Sequence, residues 1–264
     1  MKNVIALILA TASTFAFGMD MDEFNEKTHI SYFGEYNKGT IGESSSRAFY
    51  YQSISGRYVL DDTWTARLDI RLETNEGVED PYVELNPRVG VQGLIYAKNQ
   101  FSVFALYRLE VAAVSGSTDL DRVIKPKIYH AANYSMDKHS FSVGVEVARW
   151  LYKDGKDNVE NDAGFDKLGL FTDFTYRYSF NDTKTFQIYS ELPFSKPGDK
   201  EGTYLVNDGE RHLIGMEFAV PGTFLGGTMK GVSLFPHIDY RPQNSTDTEL
   251  KDLGVGAWVS AVFF

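Results

Sequence analysis

The stretch Trp64-Thr65-Ala66-Arg67-Leu68-Asp69-Ile70-Arg71-Leu72-Glu73 decides the fold. Every even position is apolar, and from Thr65 every odd position is polar. Successive side chains of a β-strand point to opposite faces, so a strict period of two predicts a strand with two chemically different sides. The polar side here carries two arginines and two carboxylates within ten residues.

The same alternation recurs in both directions from this stretch. Phe101, Val103, Ala105, Tyr107, Leu109, Val111 and Ala113 share a face, with Arg108 and Glu110 on the other. Val83, Leu85, Pro87, Val89, Val91, Gly93 and Ile95 oppose Glu84, Asn86, Arg88 and Gln92. Phe141, Val143, Val145 and Val147 oppose Ser142, Gly144 and Glu146. Leu168, Leu170, Thr172, Phe174, Tyr176, Tyr178 and Phe180 oppose Lys167, Asp173, Thr175 and Arg177. Phe186, Ile188, Leu192 and Phe194 oppose Gln187, Tyr189 and Glu191. Weaker alternation covers 28–38, 47–60, 121–136, 211–220, 229–241 and 250–264, which brings the expected number of strands to twelve.

Short and long connections alternate along the chain. Short turns are expected at Asp61-Asp62, Lys98-Asn99, Asp137-Lys138, Asn181-Asp182 and 221–227, and longer polar loops at 39–46, 74–81, 115–120, 154–164, 195–209 and 242–249. An up-and-down meander with one short-turn rim and one long-loop rim produces this rhythm. Membrane barrels have short periplasmic turns and longer extracellular loops, and an even strand number puts both chain ends on the short-turn side.

The first residues read as a targeting segment. Lys2 supplies a positive start, 4–17 is apolar, and Ala16 with Gly18 gives a small-x-small cleavage signal. The apolar run is shorter than the roughly 20 residues of a spanning helix. The expected organisation is a signal peptide over 1–18, an acidic N-terminal segment over 19–27, and one barrel domain over 28–264. The chain has no cysteine, which excludes disulfides and thiolate metal sites. Its formal net charge of -10 argues against nucleic acid as a partner.

A β-sandwich and a lipocalin-type barrel also alternate. Three features favour a transmembrane barrel. The apolar faces run six or seven positions, about the height of a bilayer core. The polar faces are dense in Arg and Glu. Tyr58, Trp64, Phe101, Tyr134, Phe141, Tyr178, Phe180 and Phe186 gather toward the short turns, where an interfacial aromatic girdle belongs.

The leader, the two-residue period and the final stretch Gly254-Val255-Gly256-Ala257-Trp258-Val259-Ser260-Ala261-Val262-Phe263-Phe264 resemble Gram-negative outer-membrane proteins. That resemblance implies an all-β, antiparallel transmembrane barrel in the outer membrane. It also implies that Phe264 ends a strand read by the barrel-assembly machinery. In size and strand number the chain resembles the small twelve-stranded oligogalacturonate-specific porins, whose narrow pores are arginine-lined. It also resembles the twelve-stranded nucleoside-specific channels. No feature distinguishes monomer from trimer.

If the apolar faces meet lipid, the others line a lumen. The expected pore-lining residues are Arg57, Arg67, Asp69, Arg71, Arg88, Arg108, Glu110, Lys125, Lys127, Arg177 and Arg211. Further lumen carboxylates are expected at Glu84, Glu146, Asp173, Glu191, Glu217 and Asp239. Acid otherwise concentrates at the ends and loops, Glu73 included, so the lumen is expected to be mixed and arginine-rich. Arginine stays protonated at any working pH, and its planar fork grips carboxylates or phosphates at two points. Such a lining favours small anionic solutes. The opposing reading is a sealed interior in which Arg and Glu only neutralise each other, serving a structural or surface-interaction barrel. A lipid hydrolase would need a Ser–His pair on the lipid-facing wall. His29 and Ser31 share a face at an i, i+2 spacing that arises often by chance, so no catalytic residue, cofactor or metal site is assigned.

Overall fold

The computed structural model describes residues 26–38, 48–75, 82–113, 122–153, 169–195, 205–206, 211–221, 229–240 and 253–263. The expected signal peptide and Phe264 lie outside them. The strands are β1 (Thr28–Lys38), β2 (Ala48–Val59), β3 (Trp64–Asn75), β4 (Tyr82–Lys98), β5 (Phe101–Val111), β6 (Arg122–Met136), β7 (His139–Ala148), β8 (Leu151–Tyr152), β9 (Gly169–Asn181), β10 (Lys184–Ser195), β11 (Leu205–Val206), β12 (Arg211–Pro221), β13 (Met229–Tyr240) and β14 (Leu253–Phe263). Twelve long strands follow one another in sequence order around a ring, each antiparallel to the next. Pairing of β1 with β14, from Ile30↔Phe263 to Lys38↔Val255, closes it. Closure leaves no sheet edge, as a barrel in hydrocarbon requires. The two-residue strands β8 and β11 pair with β6 and β10. The second falls inside 195–209, which the alternation predicts as loop alone.

Local chemistry makes the short turns. Asn99 (φ 53°) and Asp137 (φ 52°) take the left-handed conformation that Asn and Asp tolerate best among side-chain-bearing residues. Asp61 Oδ1 accepts from the backbone N–H groups of Thr63 and Trp64, both at 2.8 Å. Asn181 Oδ1 does the same for Thr183 N at 3.0 Å. The β4–β5 and β9–β10 turns fall at Asn99–Gln100 and Asp182–Thr183, one residue later than expected.

The two faces segregate as the alternation predicts. Ile54, Ile70, Val143 and Ile238 are about half exposed on the outside. Ser55, Asp69, Arg71, Glu110 and Asp239 are buried on the inside. Phe101, Tyr134, Phe141 and Tyr176 are direct cross-strand neighbours in one row over β5, β6, β7 and β9, beside the short turns. Phe180 is half exposed beside its turn, and Tyr58, Trp64, Tyr176, Tyr178 and Phe186 are partly exposed.

The expected apolar face of β4 is corrected. Asp69 pairs with Arg88, but Arg71 pairs with Leu85, so Asn86 and Pro87 bulge opposite Ile70. Pro87 has no N–H for the ladder, which is why a bulge forms there. The bulge reverses the phase, so Leu85 sits opposite lumen-facing Arg71 and Glu84 opposite Leu72.

Candidate functional site

Cross-strand register puts the eleven sequence-predicted wall residues on the inward-facing positions; ten of them fall in three groups, and Arg177, which is exposed, stands apart. Arg57, Arg67 and Asp69 form the first, on β2 and β3. Arg57 and Arg67 are directly opposed. Asp69 accepts from Arg67 Nε at 2.7 Å and from Ser55 Oγ at 2.5 Å. Arg67 also reaches Gln92 Oε1 at 3.2 Å.

The second group spans β3 to β7. Glu110 is its hub, with Arg88 Nε at 3.0 Å, Arg71 Nη2 at 3.3 Å and Lys127 Nζ at 3.3 Å. Arg108 Nη2 lies 2.5 Å from Glu146, which Lys127 also meets at 3.5 Å. Arg71 is held further by the Asn86 carbonyl that the β4 bulge presents, at 2.5 Å from Nη2. Lys125 lies over the Trp150 ring, 5.6 Å from its centroid. A buried carboxylate is costly unless paired and hydrogen-bonded, and this lattice supplies the partners.

Arg211, the third group, is on the other side of the ring. It bonds Glu35 on β1 and, with Nε, Asp239 at 3.0 Å; Asn37 donates to Asp239 as well. Glu35 is a functional candidate the alternation missed. Its strand carries aromatics at Tyr32, Phe33 and Tyr36, on both faces, which blurs the period. Tyr189, which donates to Glu191, and the clustered inward rings of Trp258, Phe235 and His237 belong to the same wall.

Charge is therefore polarised rather than uniformly arginine-rich. On β2 to β7 the inward cations Arg57, Arg67, Arg71, Arg88, Arg108, Lys125 and Lys127 outnumber Asp69, Glu73, Glu110 and Glu146. On the remaining strands Glu35, Asp173, Glu191, Glu217 and Asp239 outnumber Arg177 and Arg211. In ring order β5 stands opposite β13, so the two walls face each other. Glu73, the second carboxylate on the polar side of the Trp64–Glu73 stretch, is on the inner face opposite Tyr51.

The wall around β12 to β14 is closely filled: Leu213 and Asp239 are 1% exposed and Phe235 4%. Open space lies against β5 to β10, as a cavity of about 620 Å³. Arg108, Glu146, Tyr129, Asp173, Tyr189 and Arg177 line it, together with Asn133, Ser135, Ser140, Ser142 and Thr175. Of the predicted cations, only Arg108 and Arg177 touch it. Arg177 Nε donates to Gln187 Oε1 at 2.9 Å, and Tyr129 donates to Asp173 at 3.3 Å.

Across β10 and β12, on the outward register, His212 Nδ1 lies 3.0 Å from Ser190 Oγ; the pair that the sequence offers is placed differently. His29 and Ser31 are both on the inner face of β1, opposite Arg57 and Ser55, and not on the lipid-facing wall. His130 is on the outside, where its Nε2 lies 3.0 Å from the Tyr107 hydroxyl.

No family model and no curated protein matches the sequence. Solved structures do share the architecture. The NanC porin superposes with a TM-score of 0.52 at 12% identity, covering 89% of this chain and 98% of that one. The COG4313 outer membrane channel from Pseudomonas putida F1 gives 0.53 at 11% identity, covering 90% and 95%. At such identities the likeness is one of fold. The chain is an outer-membrane-type barrel, and its largely apolar exterior around a charged interior is the surface that fold presents to an outer membrane.

Proposed function

We propose that the chain is an outer-membrane channel that passes small hydrophilic solutes, anions in preference, through a narrow lumen. One observation carries this reading: the cavity of about 620 Å³ inside the closed ring, bounded by guanidinium, carboxylate, hydroxyl and amide groups. Eight strands are just filled by side chains, whereas wider barrels leave room for solute. Arg177, an exposed cation that borders this cavity, supports the preference for anions. Phe264 is proposed to end the signal for the assembly machinery.

Purified protein in planar bilayers tests the channel. Discrete conductance steps, with a reversal potential on the anion side in a salt gradient, are expected. A second reading, a structural or surface-interaction barrel without transport, draws on the filled wall around Leu213, Phe235 and Asp239. Silence from a correctly folded barrel would favour it.

A further inference from the structure

We propose that Arg177, with the hydroxyls of Ser140, Ser142 and Thr175, is the oxyanion-binding station of the lumen and sets its ion preference. This rests on the channel reading above. Most of the other lumen arginines are already occupied. Arg71, Arg88, Arg108, Arg67 and Arg211 each lie against a carboxylate, and all are at most partly exposed. A charge matched in this way contributes little net field to a passing ion. Arg57, which has no ion pair among the described residues, is directly opposed by Arg67 and does not border the cavity.

Arg177 differs on each count. Its side chain is exposed, it borders the cavity, and no carboxylate among the described residues is within ion-pair distance. Its Nε is fixed by Gln187, itself 4% exposed, while neither Nη nitrogen has a partner among the described residues. The guanidinium is thus anchored on one edge and open on the other. Cross-strand register puts Ser140 directly opposite Arg177 and Ser142 opposite Thr175, and all border the same cavity. Hydroxyls donate to an anion without adding charge, so they can share its load and release it. Two free NH2 groups in a plane beside such donors suit a carboxylate or phosphate, whose oxygens take the fork at two points, better than a spherical halide.

The test uses the full chain in planar bilayers under a potassium chloride gradient, with sodium acetate and inorganic phosphate as added blockers. Wild type, Arg177→Gln and Arg177→Lys are compared after their folded, heat-modifiable gel mobility is checked. Arg177→Gln is expected to shift the reversal potential toward cations. Arg177→Lys should keep the preference but lose about tenfold in block, as fits the loss of one charge-assisted contact. Block by acetate alone identifies a carboxylate station, by phosphate alone a phosphate station, and by both a general oxyanion station. A conducting Arg177→Gln with wild-type reversal potential overturns this inference and leaves the channel standing. A folded wild type that passes no current overturns both.

Discussion

Arg211 on β12 reaches Glu35 on β1 across two intervening strands, β13 and β14. On the way it also holds Asp239 of β13, which in turn accepts from Asn37 of β1. The contact fastens the two ends of the barrel over its closing seam. It fits because β14 turns Gly254 and Gly256 toward the lumen beneath it, opposite Asp239 and His237.

Removing that clasp should loosen closure. Arg211→Ala removes the cation that Glu35 and Asp239 share, in a part of the wall where Asp239 is 1% exposed. Breaking a buried pair from one side costs about 3–5 kcal/mol. The expected result is a large drop in the urea midpoint for unfolding from phospholipid vesicles, read by Trp fluorescence. An unchanged midpoint would show that the clasp contributes nothing.

Arg71 should matter for stability and not for selectivity. It is buried, bonds the Asn86 carbonyl and Glu110, and does not border the cavity. Arg71→Met keeps the volume of the stem, and Arg88 and Lys127 still serve Glu110. A loss of about 1–3 kcal/mol is expected, the range for a hydrogen-bonded charged group. The reversal potential should match wild type. A shift as large as that of Arg177→Gln would return the β3–β7 lattice to the ion path.

The inside–outside assignment has its own test on one strand. Val143 is 52% exposed on the outer wall, and its neighbour Ser142 borders the cavity. Val143→Arg puts a charge into hydrocarbon, at a cost of about 2–4 kcal/mol near mid-membrane. Ser142→Arg puts the same charge into the lumen, where it should be tolerated and should raise anion preference. Equal folding efficiency of the two variants in lipid vesicles would contradict the register.

Most of the architecture was legible because each wall residue has a two-sided choice, and a period of two encodes it. Trp64 to Glu73 is enough to fix which way β3 faces, and β1 falls at the bounds its alternation predicts. The phase of β4 was not legible, since a bulge at Asn86–Pro87 inverts it without altering the apolar pattern. Nor was the wall of Phe33, Glu35, Phe235, His237 and Trp258. An aromatic residue suits lipid, interface and lumen alike, so its position carries no phase. Pairing escaped the sequence for another reason. Arg71 and Arg177 look alike along the chain, and only the register shows that Glu110 engages one and leaves the other open.

Two glycines offer a last contrast. A Cβ on Gly90 would stand 2.0 Å from the Tyr107 carbonyl oxygen and 2.9 Å from the Arg108 Cα, both backbone atoms of β5 that cannot swing away. Gly90→Ala must therefore push β4 from β5, and overpacking of this kind costs about 1–3 kcal/mol. A Cβ on Gly56 would meet nothing within 4 Å. Gly56→Ala should gain about 0.5–1 kcal/mol, because glycine gives up more backbone freedom on folding than alanine does. Opposite signs in the urea midpoints of the two variants are expected. Two losses of similar size would mean that β4 and β5 do not approach as closely as the Gly90 contact requires.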